Sequence, residues 1–376
     1  MATRLLRARR LLDSGDLEAA ERLYVEALAI EPELAAALRA RAEIALARDD
    51  ISNALSFVRA SVGAALNDVP SLVPLPLKVL QFGSVHPGAH TNTDRVLNPL
   101  WTETTTLLVE KWDLAWPLPA HDVIVNAISD AHICGPALEL AAYLVTTTDR
   151  LVLNAPSRVL ATTRTEIAKR LAHVEGLRVP AVERVTREEA SRRDDYPFLL
   201  RVPGFHNGAN FEMVRSEAER DAALAELPTG DLLAIEYVDT RASDGAFRKY
   251  RAMVVDGVLY PAHLAIGEAW NLHYFSANMT EDRRAEELSY LADMKAHLGG
   301  RAYQALERLS WILGLEYFGI DFGIDANGEI VLFEANASMT VHLPNDVPEN
   351  AYRRAAVFNI DGAVYDLVAR LATRPS

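Results

Sequence analysis

Apolar positions along residues 1–68 recur at helical spacing, and the pattern occurs twice. "GDLEAAERLYVEALAIEP" (15–32) aligns with "DDISNALSFVRASVGAAL" (49–66) at a shift of 34 residues, which sets Asp16 on Asp50, Leu17 on Ile51, Ala20 on Ala54 and Leu23 on Phe57. The spacing predicts two helix pairs. Two units are fewer than the roughly three that stacked repeats need to bury a core of their own. The segment is therefore expected to pack on the following domain or on another chain, either as a partner-docking or dimerising arm or as a helical cap. Three prolines in "NDVPSLVPLPLK" (67–78) mark a linker at 69–77.

The period then changes. "KVLQFGSV" (78–85), "TTTLLV" (104–109), "DVIVNAIS" (122–129) and "RLVLN" (150–154) are short β-branched runs separated by helical stretches such as "GPALELAAYLV" (135–145). Strands alternating with helices predict a parallel sheet covered on both faces, over residues 78–158. The turn after its first strand, "GSVHPGAHTN" (83–92), lies where such sheets bind ligands. His86 and His90 in it are candidates for substrate contact; the alternatives are a metal pair and a plain connection.

From 159 to 376 the pattern is one of paired strands. "YPFLLRVPGFHNGANFEMV" (196–214) is a strand, a glycine loop and a strand; Gly204 and Gly208 let the backbone approach a ligand, and Arg201 stands at the strand end. Exposed N–H groups in such a loop hold phosphate oxygens. "DLLAIEYVDT" (231–240) is an apolar strand that runs into carboxylates, and is either a binding edge or a surface-exposed strand end. In "FRKYRAMVVDGVLYPAHLAI" (247–266), Asp256–Gly257 turns a hairpin, and Lys249 and Arg251, two apart, project to one face. "GEAWNLHYFSANM" (267–279) offers Asn271, His273 and Tyr274 as an acceptor loop or as its supports.

The hairpin "GIDFGIDANGEIVLFEANAS" (319–338) poses a chemical question. A two-residue turn at Asn327–Gly328 sets Ala326 against Glu329, Asp325 against Ile330 and Asp321 against Glu334, with Asn336 on the face of Glu334. Two carboxylates are then cross-strand neighbours roughly 5 Å apart between Cβ atoms, an arrangement that destabilises a strand pair. Either a divalent cation lies between them, bound by hard oxygen ligands, or the face is wet.

Composition narrows the partners. The 376 residues carry a net charge of −14, which argues against a nucleic-acid footprint. No apolar run approaches the roughly 18 residues that suggest a membrane helix. The one cysteine, Cys134, forms no internal disulfide, and the expected home is the cytoplasm. The basic start, "MATRLLRARRLL", reads as a first helix rather than a targeting segment.

Two resemblances follow. Gly15, Ala20, Tyr24, Ala27 and Pro32 stand where the tetratricopeptide repeat has its turn glycine, small packing residues, aromatic and proline; the second copy lacks the glycine and proline. "GLRVPAVERV" and the four paired-strand blocks resemble, in order, those of the ATP-grasp superfamily, its glutathione-synthetase and peptide-ligase branch most. The implied fold is an α+β ATP-grasp clamp (159–376) preceded by a pre-ATP-grasp α/β domain and the all-α repeat segment. The implied activity is ATP-dependent ligation of a small-molecule or peptide carboxylate to an amine through an acyl phosphate. A kinase on the same clamp, or a scaffold with a degenerate clamp, is the alternative. The resemblance makes Asp321, Glu334 and Asn336 ligands of Mg²⁺ or Mn²⁺, and Arg251 the group that steadies the transferring phosphoryl. Arg201 and Arg164 stand at usual lysine positions on the phosphates of ATP. Glu236 and Val238 meet adenine through their backbone, and Asp239 or a nearby acid meets the ribose. Lys249 is an extra cation where related ligases often have an acid.

Overall fold

A computed structural model describes residues 2–32, 34–66, 76–86, 90–99, 101–204, 209–274, 277–345 and 347–373. Gly208 and most of the proline linker, 67–75, lie outside the described residues. The chain forms two compact units, Met1–Val79 with Leu97–Thr104, and Leu80–Val96 with Thr105–Ser376.

The first unit holds four consecutive helices, α1 (Ala2–Asp13), α2 (Leu17–Ile30), α3 (Ala35–Ala47) and α4 (Ile51–Leu66). Asp16 and Asp50 each precede a helix and accept a hydrogen bond from the backbone N–H three residues on, Ala19 at 3.0 Å and Asn53 at 3.1 Å. Each thereby satisfies one of the donors that a helix start leaves open. The buried side chains of α1–α3 are mostly alanine: Ala8, Ala20, Ala27, Ala37 and Ala40, with Tyr24 and Ile44. Such a core lets helices approach closely but buries little apolar area. Between α3 and α4, Ala42, Ala45, Ala54 and Val58 form a second cluster, against which Trp101 packs.

Among the described residues, three sheets follow. β1 (Leu77–Gly83), β2 (Thr102–Leu108), β3 (Val123–Asn126) and β4 (Val152–Leu153) are ordered β2-β1-β3-β4, with β3 and β4 parallel. β5 (Leu177–Arg178) belongs to a later sheet. β6 (Val182–Val185), β7 (Phe198–Arg201), β8 (Phe211–Val214) and β9 (Leu232–Glu236) form an antiparallel sheet ordered β6-β9-β7-β8. β10 (Phe247–Val255), β11 (Val258–Gly267), β12 (Tyr317–Ile324) and β13 (Ile330–Asn336) complete a five-stranded sheet, β11-β10-β12-β13-β5, antiparallel except at β13 and β5. One face of this sheet buries Ala252, Val254, Phe318, Ile320 and Phe322 in a core shared with Phe82, Ile124, Leu306 and Leu309.

The β12–β13 hairpin departs from the expected register and then returns to it. Ile324, not Asp325, pairs with Ile330, so Asp325 and Glu329 close a three-residue turn. Its cause is local: the Asp325 carboxylate accepts the N–H groups of Asn327 and Glu329, both at 2.9 Å, and Gly328 takes φ +76°. A bulge at Phe333 then restores the count, because Phe322 pairs with Leu332 while Asp321 pairs with Glu334. The bulge answers two demands on β13. Ile330 and Leu332 must enter the core beside Phe322; three residues after Leu332, Ala335 and then Ala337 must do so, while Glu334 and Asn336 face away. An even run from Ile330 to Ala335 cannot satisfy both.

Candidate functional site

The antiparallel sheet and the five-stranded sheet enclose a cavity of about 640 Å³, into which segments after β3, β11 and β13 also reach. Arg201, Leu233 and Ile235 line one side; Lys249, Arg251, Asp321, Glu334 and Asn336 line the other.

Asp321 is 1% exposed. Arg251 grips it with two bonds, Nε to Oδ1 at 2.6 Å and Nη2 to Oδ2 at 2.8 Å, and the Lys249 ammonium lies 2.9 Å from Oδ2. Burial pushes the Asp321 carboxyl up, but Arg251 and Lys249 outweigh it and hold the group far below the usual carboxylate range. Glu334 is treated the same way from another direction. Arg164, at the start of the helix Arg164–Leu171, donates to Glu334 Oε1 and, at 3.2 Å, to the Phe333 carbonyl. Burial again raises and the arginines Arg164 and Arg201 lower, with a net fall. Arg201 is buried against the Phe211 ring at 5.1 Å, and is pulled down to about 10 by burial first and by Arg164 second. The sequence reading sought one ion between two carboxylates; four cationic side chains already converge there.

Gly319 explains how the floor of the site closes. A Cβ on it would lie 2.5 Å from the Met339 side chain. The bare backbone lets the segment after β13 cross the sheet, where the Thr340 carbonyl accepts from Arg251 at 3.4 Å and Thr340 and His342 join the lining.

The other expected residues divide. Gly204, Glu236, Val238, His90, Asn271 and His273 line the cavity; among the described residues His86, Asp239 and Tyr274 do not. Asp239 instead clasps Arg241 through Nε, at 3.0 Å to both oxygens, and Nη2, because a guanidinium two residues on is a nearer partner than any cavity group. The Glu236 carboxylate is held by Arg178 and by the Ala181 N–H at 3.1 Å. Tyr274 turns away and donates to the buried Glu287 at 3.0 Å. His90 Nε2 accepts from the Ser84 N–H at 2.6 Å, which takes that nitrogen from any metal. Sequence reasoning missed Asp130 and His132, which follow β3 as "SDAH". Their signal was position past the carboxyl end of a parallel strand. His132 Nε2 accepts the Arg164 N–H at 3.4 Å.

The donor chemistry suits a hard divalent cation, with Glu334 and Asn336 lining the cavity beside Asp321. Asn336 Oδ1 accepts from the Ser338 N–H at 3.0 Å and Oγ–H at 2.9 Å. Among the described residues no group of three or more His, Cys, Asp or Glu is arranged to hold a metal.

No protein-family model and no curated protein matches the chain. Solved structures similar to it include a RimK-domain ATP-grasp protein from Sphaerobacter thermophilus, at 15% identity, covering 77% of this chain and 99% of that one, with a TM-score of 0.47. Another is the ATP-grasp ligase PsnB complexed with a minimal precursor, Mg and ADP, at 14% identity, 79% and 98% coverage and a TM-score of 0.46. A third is the VanG D-Ala:D-Ser ligase from Enterococcus faecalis, at 13%, 79% and 99%, and 0.47. No helix among the described residues is long and apolar enough to cross a membrane.

Proposed function

We propose that this chain is an ATP-dependent carboxylate–amine ligase of the ATP-grasp type, forming an amide through an acyl phosphate and releasing ADP and phosphate. One observation carries the reading: a carboxylate pair, the buried Asp321 and the half-buried Glu334, surrounded by Lys249, Arg251, Arg164 and Arg201 in a cavity between two sheets. Phosphoryl transfer is catalysed mostly by positioning and charge neutralisation, which is what such a cluster supplies.

In this reading the nucleotide enters between the sheets, with its base at the end of β9 near Glu236 and Val238 and its phosphates toward Arg201, Gly204 and Arg164. A divalent ion held by Glu334 and Asn336 would neutralise charge on the phosphate oxygens. Arg251, fixed by Asp321 and by the Thr340 carbonyl, neutralises charge that develops on the transferred group. His90, Asn271, His273 and His342 face the acceptor. The helices α1–α4 are read as two tetratricopeptide-like units that dock a partner, self-associate or cap the core.

The test measures ADP and phosphate release, with Mg²⁺ or Mn²⁺ present, over a panel of acids and amines, and identifies the product. A new amide bond with both releases is the expected outcome. A phosphorylated product that persists would instead identify a kinase, and absence of nucleotide binding would remove both enzymes. Arg251→Ala is expected to lower turnover by about 10²–10³ with nearly unchanged ATP affinity. Arg201→Ala touches phosphates present in the ground state, and is expected to weaken both affinity and rate.

A further inference from the structure

The ion pairs on Asp321 bear on how many divalent ions this cavity accepts. Its Oδ1 accepts from Arg251 Nε at 2.6 Å; its Oδ2 accepts from Arg251 Nη2 at 2.8 Å and lies 2.9 Å from Lys249 Nζ. The residue is 1% exposed, so no water or ion reaches these oxygens unless Lys249 or Arg251 is first displaced. Displacement is costly, because removing one partner from a buried pair leaves the other charge uncompensated. Glu334 differs: its side chain is half-buried, Arg164 holds its Oε1, and Asn336 lines the cavity beside it.

We infer that the site takes a single divalent ion, on Glu334 and Asn336, and that Lys249 with Arg251 occupies the charge position of a second, so that Asp321 anchors cations and is not a metal ligand. The inference rests on the ATP-dependent reading above. Around the carboxylate pair four cations, Lys249, Arg251, Arg164 and Arg201, already face two acids, Asp321 and Glu334. Two-metal sites set their ions roughly 3.5–4 Å apart, and Asp321, which a second ion would need beside Glu334 and Asn336, is already held on both oxygens.

The experiment counts Mn²⁺ by electron paramagnetic resonance on the full chain with a non-hydrolysable ATP analogue. The wild type is expected to bind one Mn²⁺ per bound nucleotide, with the hyperfine pattern of an isolated ion. Lys249→Gln frees Oδ2 of Asp321 and is expected to admit a second Mn²⁺, giving an exchange-coupled spectrum; Lys249→Arg, which keeps the charge, is expected to stay at one. Two Mn²⁺ in the wild type would overturn the inference while leaving the nucleotide reading intact, whatever the variants do. A Lys249→Gln chain that binds nucleotide with one ion only would overturn the role of Lys249. Absence of analogue binding in the wild type would overturn the inference together with the reading beneath it.

Discussion

Two buried carboxylates in this molecule are driven in opposite directions. Glu287 is 0% exposed and accepts from the Leu264 N–H at 3.2 Å and the Tyr274 hydroxyl at 3.0 Å, with one cation, Arg353, at 3.2 Å. Burial wins there and its carboxyl is pushed up. Asp321 is as deeply buried but has two cations in contact, and they win. The consequences for acid stability are opposite in sign. A lowered folded-state value means that Asp321 contributes stability in full above its unfolded value of about 4, and loses it as pH falls toward the folded value. The contribution of Glu287 is present below its unfolded value of about 4.3 and is lost as pH rises through its raised folded value. Asp321→Asn leaves the half-buried Lys249 and Arg251 without their anion, and is expected to cost about 3 kcal/mol near neutral pH. It should also flatten the decline of stability below about pH 4. Urea unfolding across a pH series measures both; an unchanged acid slope would assign that slope to other carboxylates.

At the scale of elements, the strands of the cavity and the pairing of Asp321 with Glu334 were legible, because alternation and turn chemistry are local. The length of the turn was not. Asn327–Gly328 suggests a two-residue loop, but the Asp325 side chain captures two N–H groups and makes a three-residue one. The bulge left a trace that alternation alone does not decode: apolar positions are even at Ile330 and Leu332, then odd at Ala335 and Ala337. What sequence does not disclose is which charges meet. Arg164 reaches Glu334 from 170 residues away, and Asp239 is lost to an arginine only two residues on. A motif therefore identifies candidate ligands, while their partners come from tertiary packing.

Across the whole molecule, the two units differ in what holds them. The larger has a core rich in Phe, Leu and Ile; the helices α1–α3 have mostly alanine, and α3 and α4 lean on Trp101. Residues 1–68 lack that tryptophan. At about 25 cal/mol per Å² of buried apolar surface, an alanine-lined pair of helix hairpins gains little against its chain entropy. The isolated fragment is expected to be largely unfolded. A cooperative thermal transition followed by circular dichroism in residues 1–68 alone would refute this, and adding residues 69–104 is expected to raise the helical signal.

The bulge at Phe333 also sets which changes in chain length the protein tolerates over evolution. Deleting Phe333 leaves Ile330 and Leu332 on the core face and Glu334 and Asn336 on the cavity face, since the extra residue is the only thing separating the two phases. Deleting Ala335 instead moves Asn336 into the core and brings Ala337 out. Lineages of such a chain can therefore lose a residue at one position of β13 and not two positions later. Thermal unfolding of the two deletions tests this: the chain lacking Phe333 is expected to keep a cooperative transition, and the chain lacking Ala335 to lose it.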